Sequence, residues 1–360
     1  GRKLGFMATI GIDSLFGFLS AFSPNFGVFL VLRMLTGFGV GGTLPVDYAV
    51  FAEFLPAKDR GKRLVLLESF WALGTIVAAG AAWLVVPRFG WRFLFIVSAV
   101  PGLLLFAVRT WVPESPRFLA ASGKRDEAMA VLSQVAKING RSLDHTTLPE
   151  DTILPPADLP RTTVKDLFSR DLRRTTILLW IIWFFISIGY YGIFTWLPSW
   201  LRSKGFALPA IYPYSFFMAL AQLPGYFSAA YLVERIGRRR TLGLYLLGSG
   251  FGAVAFSFAV SQTSIVTAAL VLSFFALGAW GALYAYTPEA YPTVIRTTGI
   301  GTASGMTRIA GVIAPFVGAM LGTSDLFGAL ILFGTVYGLG ALAAFALPYE
   351  SAGSVLEDVV

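Results

Sequence analysis

Cysteine is absent from the 360 residues and histidine occurs once, as His145. A disulfide framework, Cys-based zinc sites, histidine metal clusters and His-based catalytic triads are thereby excluded. Charge is scarce too. Asp, Glu, Lys and Arg make up 13% of the chain, against about 25% in ordinary soluble domains. No G-x-x-x-x-G-K-[ST] loop occurs, so nothing points to an ATP-driven pump. Gly37-Phe38-Gly39-Val40-Gly41-Gly42 spells G-x-G-x-x-G, but inside an apolar run rather than between a strand and a helix. Small residues there suit close helix packing. No metal site or cofactor is expected.

What remains is apolar: 56% of residues are hydrophobic and the mean hydropathy is +0.71. A soluble fold cannot solvate that much apolar surface, which excludes a disordered chain and a soluble enzyme. Apolar runs lie at about 4–22, 26–54, 64–87, 90–112, 174–201, 211–234, 241–260, 263–287, 297–321 and 326–348. Each is near the roughly 20 residues that cross a bilayer core, and too long for a membrane β-strand. The predicted fold class is an all-α polytopic membrane protein.

Lys and Arg are unevenly placed. One set of alternate loops holds 22 of them, the opposite set four, and Arg33 and Arg308 fall inside spans. By the positive-inside rule the rich set is cytoplasmic. The net charge of +8 is thus a topology signal rather than a nucleic-acid footprint. The long polar stretch 113–173 falls on that side. Ser122–Asn139 carries Ala128, Val131, Leu132 and Val135 at helical spacing, which predicts a surface helix. A Pro-, Asp- and Thr-rich linker containing His145 follows, where the histidine reads as a solvated loop residue.

Three patterns recur at one offset of 236 residues. Gly1-Arg2-Lys3 matches Gly237-Arg238-Arg239, and Glu53-x-x-Pro56-x-x-x-Arg60 matches Glu289-x-x-Pro292-x-x-x-Arg296. Glu114-Ser115 matches Glu350-Ser351. Two related halves joined by a linker are predicted: 1–112, linker 113–173, and 174–348 with a cytoplasmic tail 349–360. Parallel repeats build transporters whose halves rock around a site. Two spans precede the second Gly-Arg-Arg and none the first. The intact protein is therefore expected to carry about 60 further residues before Gly1, making twelve helices as six plus six.

These residues resemble the major facilitator superfamily over essentially the whole chain. Gly1-Arg2-Lys3 looks like the tail of its loop motif between helices 2 and 3, and Val233-Glu234-Arg235-Ile236-Gly237-Arg238-Arg239 looks like the second copy. Arg33-x-x-x-Gly37-x-Gly39-x-Gly41 resembles the helix-4 motif, and Pro113-Glu114-Ser115-Pro116-Arg117 the sugar-porter signature. The stretches 66–74, 221–230 and 277–289 are similar to bacterial niacin/niacinamide transporters, a group like the synaptic-vesicle glycoprotein 2-type proteins.

Three sets of residues are candidates for function. Each Glu-x-x-Pro-x-x-x-Arg puts a carboxylate at a helix end and a guanidinium in the loop, a pairing suited to bidentate contact. Arg2, Glu53, Arg60 and Glu114, with Arg238, Glu289, Arg296 and Glu350, form a candidate cytoplasmic gate; the alternative is charge that merely sets topology. Asp13, Arg33, Asp47, Glu68 and Arg308 lie inside spans, where charge is costly and faces a partner or cavity. Arg33, Asp47 and Glu68 are the candidates for proton coupling, with a structural role as the alternative. Trp71, Tyr190, Tyr191, Trp280 and Tyr284, with Gln222, offer stacking and hydrogen bonding to a flat aromatic solute; core packing is the competing reading. The resemblance favours Tyr190, Tyr191, Trp71 and Trp280 as site residues.

The resemblance implies secondary transport by alternating access, of nicotinate or a related aromatic acid, coupled to protons. A sugar-porter-type solute and a non-transporting receptor on the same fold are the alternatives. A membrane enzyme lacks a nucleophile–base pair. The partners implied are a small solute and the lipid bilayer, not nucleic acid, for a monomer in the plasma membrane.

Overall fold

The computed structural model describes residues 2–54, 60–116, 119, 123–141, 163–292, 295–348 and 350. The side chains of Arg2, Asp47, Glu53 and Arg60 lie outside the described residues, as do Gly1, Pro56, Arg117, Ser122, His145 and Ser351.

The described residues are almost entirely helical. The chain runs through α1 (Arg2–Ser20), α2 (Phe26–Phe54), α3 (Arg60–Ser98) and α4 (Leu104–Trp111). The short polar helix α5 (Arg125–Ile138) follows, then α6 (Arg173–Ser203), α7 (Leu208–Arg235) and α8 (Arg238–Phe258). The last three are α9 (Gln262–Glu289), α10 (Arg296–Ser324) and α11 (Leu326–Phe345). Among the described residues eight segments are long and apolar enough to cross a membrane, and Phe26–Gly41 is a shorter apolar helix.

One of the eight, Leu66–Trp111, has 46 residues. At 1.5 Å per residue that is about 70 Å, more than twice the ~30 Å hydrocarbon core, so it must supply two crossings. The division falls at Gly90, whose φ of 79° and ψ of 171° are not helical and need a residue without Cβ. With that break and α2, the apolar helices reach the ten predicted.

Two compact units divide the chain: residues 1–60 with 84–160, and residues 61–83 with 161–360. In the first, α1 lies on α2 at Gly39, where a Cβ would stand 2.6 Å from the Asp13 nitrogen. Arg92 donates to the Ala21 and Ser23 carbonyls at 2.9 and 2.8 Å, satisfying acceptors just beyond the end of α1. Beside α5, Leu119 and Ala128 are buried against Val131.

The second unit has the larger core. α9 packs on α7 and α8, α11 on α6 and α8, and α10 on α6. Glycine sets how closely α6 and α11 approach. A Cβ on Gly189 would lie 2.6 Å from the Tyr337 ring, and one on Gly192 would collide with the Phe333 ring. Interfaces between membrane helices are built by such small residues, which trade side-chain volume for backbone contact.

Candidate functional site

The aromatic candidates come together in the second unit. Trp183, Tyr190 and Phe194 lie along α6, and Trp280 and Tyr284 along α9, spaced to share faces of their helices. Tyr190 meets Trp280 edge-on, with centroids 6.1 Å apart, and Phe194 at 4.7 Å. Tyr191 is 5.4 Å from Tyr190, and Trp280 and Tyr284 lie tilted at 6.0 Å. Trp71 on α3 donates from Nε1 to the Tyr190 hydroxyl at 3.4 Å. Trp71 is 43% exposed and Trp280 only 7%, so the group grades from an open edge to a buried floor.

The floor is braced from behind. Trp183 stands edge-on to Trp280 at 5.6 Å and to Tyr284 at 5.1 Å. Its Nε1 donates to Thr287 Oγ1 at 3.0 Å, and Thr287 donates in turn to the Leu283 carbonyl at 2.8 Å. Ser187 on α6 donates to Thr307 on α10 at 3.0 Å. A buried indole with its N–H satisfied is a fixed support rather than a mobile contact. Sequence reasoning passed over Trp183, although it lies two turns before Tyr190 and so on the same stripe of α6.

The buried polar groups of the same unit are unevenly satisfied. Gln222 on α7 is 2% exposed, and its Oε1 is buried with no hydrogen-bond partner among the described residues. Leaving such a group unbonded costs about 1–3 kcal/mol. One turn on, Tyr226 is also 2% exposed and within electrostatic reach of Glu68, Tyr190 and Tyr284. Glu68 on α3 is buried and also acts on Tyr191, as does Arg308 on α10. Tyr337, whose ring rests on Gly189, has a buried hydroxyl with no partner among the described residues and senses Tyr190. Tyr226 and Tyr337 were not singled out from sequence. Tyr226 had a signal, four residues after Gln222; Tyr337, in a plain apolar run, had none.

The charged loop residues fall into a second group. Arg238 Nε lies 3.1 Å from Glu289 Oε2, and Arg238 Nη2 lies 3.0 Å from Glu234 Oε1. Arg296 donates from Nε to the Tyr291 carbonyl at 3.2 Å. Glu350 meets Arg239 rather than Arg238, accepting from its backbone N–H at 3.1 Å. In the first unit Glu114 accepts from the backbone N–H of Lys3, also at 3.1 Å. Arg2, Glu53 and Arg60 of the same candidate gate fall outside the described side chains. Of the coupling candidates, Arg33 is in the first unit, where Asp13 senses its charge and its guanidinium lies 5.4 Å from the Phe95 ring centroid. Glu68 is in the second unit, and the Asp47 side chain lies outside the described residues.

Membrane-length helices, with an aromatic cluster among those of the second unit, define a polytopic α-helical membrane protein. Residues 1–359 match the family described as Sugar (and other) transporter, and the chain belongs to that family of membrane transporters. It is 40% identical over 361 residues to the niacin transporter NiaP of Acinetobacter baylyi, covering 100% of this chain and 81% of that protein. It is 33% identical to the synaptic vesicle 2-related protein of Xenopus laevis, covering 99% and 68%. The fold matches the proton:xylose symporter XylE with a TM-score of 0.74 at 19% identity, over 99% of this chain and 85% of that one. The protein is therefore a multi-pass transporter of a small solute, of major facilitator type, and not an enzyme.

Proposed function

We propose that this transporter moves nicotinate or a closely related flat aromatic acid across the plasma membrane by alternating access, coupled to protons. The observation that carries the reading is the set of rings from Trp71, Tyr190, Tyr191, Trp280 and Tyr284 with the buried, unbonded Gln222 oxygen in the same unit. Stacking suits a pyridine ring, and a carboxamide can donate to or accept from its polar substituent. The 40% identity to a niacin transporter supports the same class of solute.

In this reading Glu68, with Arg33 and Asp47, carries the coupling. Charge within a span is costly and marks the path of a coupling ion. The charged groups Arg2, Glu53, Arg60 and Glu114, with Arg238, Glu289, Arg296 and Glu350, hold a gate on the cytoplasmic side, where the linker 113–173 also lies. Bundles 1–112 and 174–348 are its two rocking halves, and the protein works as a monomer.

Uptake of labelled nicotinate by cells expressing the protein, with the proton gradient varied and Trp280→Ala alongside, tests this. Uptake should be saturable, gradient-dependent and lost in the variant. No uptake above empty cells, with protein present in the membrane, discards nicotinate and directs the search to sugars, which the family description and the Pro113–Arg117 signature favour. Binding without flux would support a receptor instead.

A further inference from the structure

Arg308 stands apart from the other charges of the second unit. It lies on α10 within the apolar window Thr298–Leu321, ten residues from the Thr298 end. That places it about 15 Å along the helix, near the middle of a ~30 Å hydrocarbon core. A guanidinium at that depth is costly unless something compensates it, and the phosphates of the bilayer are out of its reach. Yet the Arg308 guanidinium makes no hydrogen bond and no ion pair among the described residues, and the residue is exposed.

Its surroundings say what could answer it. Gly311, three residues on and so on the same side of α10, would bring a Cβ to 3.8 Å from the Tyr191 ring. Thr307, the neighbouring residue, is tied to Ser187 on α6. Both contacts fix α10 against the stretch of α6 that bears Tyr190 and Tyr191. The charge thus stands beside the aromatic group and within electrostatic reach of Tyr191, which also feels Glu68. Rings that hold a flat solute and a fixed cation at their edge together suit an aromatic ring bearing one anionic group.

We propose that Arg308 is the anchor for the carboxylate of the transported solute, so that the site selects aromatic monocarboxylates over their neutral amides. Guanidinium and carboxylate match in shape, and two parallel N–H···O bonds fix the plane of the acid. The ring then lies toward Tyr191 and Tyr190. The proposal rests on the reading of the site as a binder of small aromatic solutes, and it adds which group of the solute is recognised and by what.

The test compares two ligands of nearly the same shape on the full protein. Equilibrium binding of labelled nicotinate and labelled nicotinamide is measured for the unaltered protein, Arg308→Gln and Arg308→Lys, with benzoate as a third ligand. The unaltered protein should prefer nicotinate. Arg308→Gln should weaken nicotinate by tenfold or more, the order expected for a lost charge-assisted pair, and leave nicotinamide within about threefold. Retained nicotinamide binding shows that the variant is folded. Arg308→Lys should fall between, since it keeps the charge and loses the fork.

Equal weakening of acid and amide would overturn the proposal and make Arg308 structural, as would unchanged nicotinate binding in Arg308→Gln. Preference of the unaltered protein for the amide would overturn it as well. If nicotinate fails to bind but benzoate binds and depends on Arg308, the nicotinate reading falls while the carboxylate anchor stands. If none of the three binds, both fall.

Discussion

Glu350 accepts a hydrogen bond from the backbone N–H of Arg239 at 3.1 Å, and 236 residues earlier Glu114 accepts from that of Lys3 at 3.1 Å. Each carboxylate sits at the first turn of a helix, α8 and α1, where unpaired N–H groups gather positive charge. The repeat seen in the letters is therefore also a repeat of physical device.

Matching geometry implies matching cost. Glu350→Gln and Glu114→Gln should each remove about 0.3–1 kcal/mol of stability, by loss of the charge at a helix N-terminus. Thermal unfolding in detergent checks this. An effect of one variant several times that of the other would show that the two carboxylates are not equivalent.

Arg238 has two acidic partners of different worth. The side chain of Glu289 is 18% exposed and that of Glu234 is 49% exposed. A surface pair contributes about 0–1 kcal/mol, whereas removing one member of a buried pair costs about 3–5. Glu289→Gln should thus destabilise clearly more than Glu234→Gln. As part of the proposed gate it should also slow transport. Normal uptake by a stably inserted Glu289→Gln protein would remove Glu289 from that role.

The Trp71–Tyr190 hydrogen bond, at 3.4 Å, is long for a strong interaction. A double-mutant cycle with Trp71→Phe and Tyr190→Phe should give a coupling below about 1 kcal/mol in nicotinate binding. Most of the loss in Trp71→Ala should then come from ring area, so Trp71→Phe should retain much of the affinity. A Trp71→Phe variant as weak as Trp71→Ala would mean that the N–H itself is what matters.

Outside the membrane, Asp166 sits in a capping box at the short helix Val164–Phe168 before α6. Hydrogen bonds from the Thr163 N–H at 2.7 Å and hydroxyl at 3.0 Å hold its carboxyl below the ordinary value, the backbone bond having the larger effect. The pairing therefore helps the fold above the unfolded carboxylate pKa of about 3.9, and the help is lost as pH falls through the lower folded value. An NMR titration should place the Asp166 midpoint below that of a free aspartate. Thr163→Val should move it only part of the way back, because the backbone bond remains. A full return would assign the effect to the hydroxyl instead.

The helices and their approximate ends were legible because bilayer thickness imposes one length on every crossing. The division at Gly90 was legible for the same reason, since charge and glycine interrupt the run there. The gathering of Trp71, Tyr190 and Trp280 was only partly so. Helical spacing put Trp280 and Tyr284 on one face of α9, but which helix that face meets is decided by packing. Tyr337 was hidden because an aromatic residue in an apolar run looks the same whether it supports a site or fills space, and the stripe that Trp183 shares with Tyr190 does not say which of the two fills the core. Arg308 could be flagged as costly from its place in a span. That no carboxylate among the described residues pairs with it needed coordinates.

Gly192 offers a direct check on the packing beside the site. Gly192→Leu should drive the Phe333 ring out of place and cost about 1–3 kcal/mol or more, as overpacking does. Gly192→Leu with Phe333→Ala should recover part of the loss. No recovery would mean that the ring is not what the larger side chain displaces.

Two glycines on α6 receiving two rings from α11 amount to a pair of cogs engaged in a rack. Gly189 and Gly192 are one turn apart, and the Tyr337 and Phe333 rings that meet them are spaced likewise. A slip of either helix by a single residue would set a ring against a neighbour that has a side chain. α6 and α11 are in this way indexed to each other and travel as one strut. Tyr190, held between the two meshing points, cannot shift along its axis without carrying that strut, so a displacement at the ring face reaches α11 and Tyr337 as well.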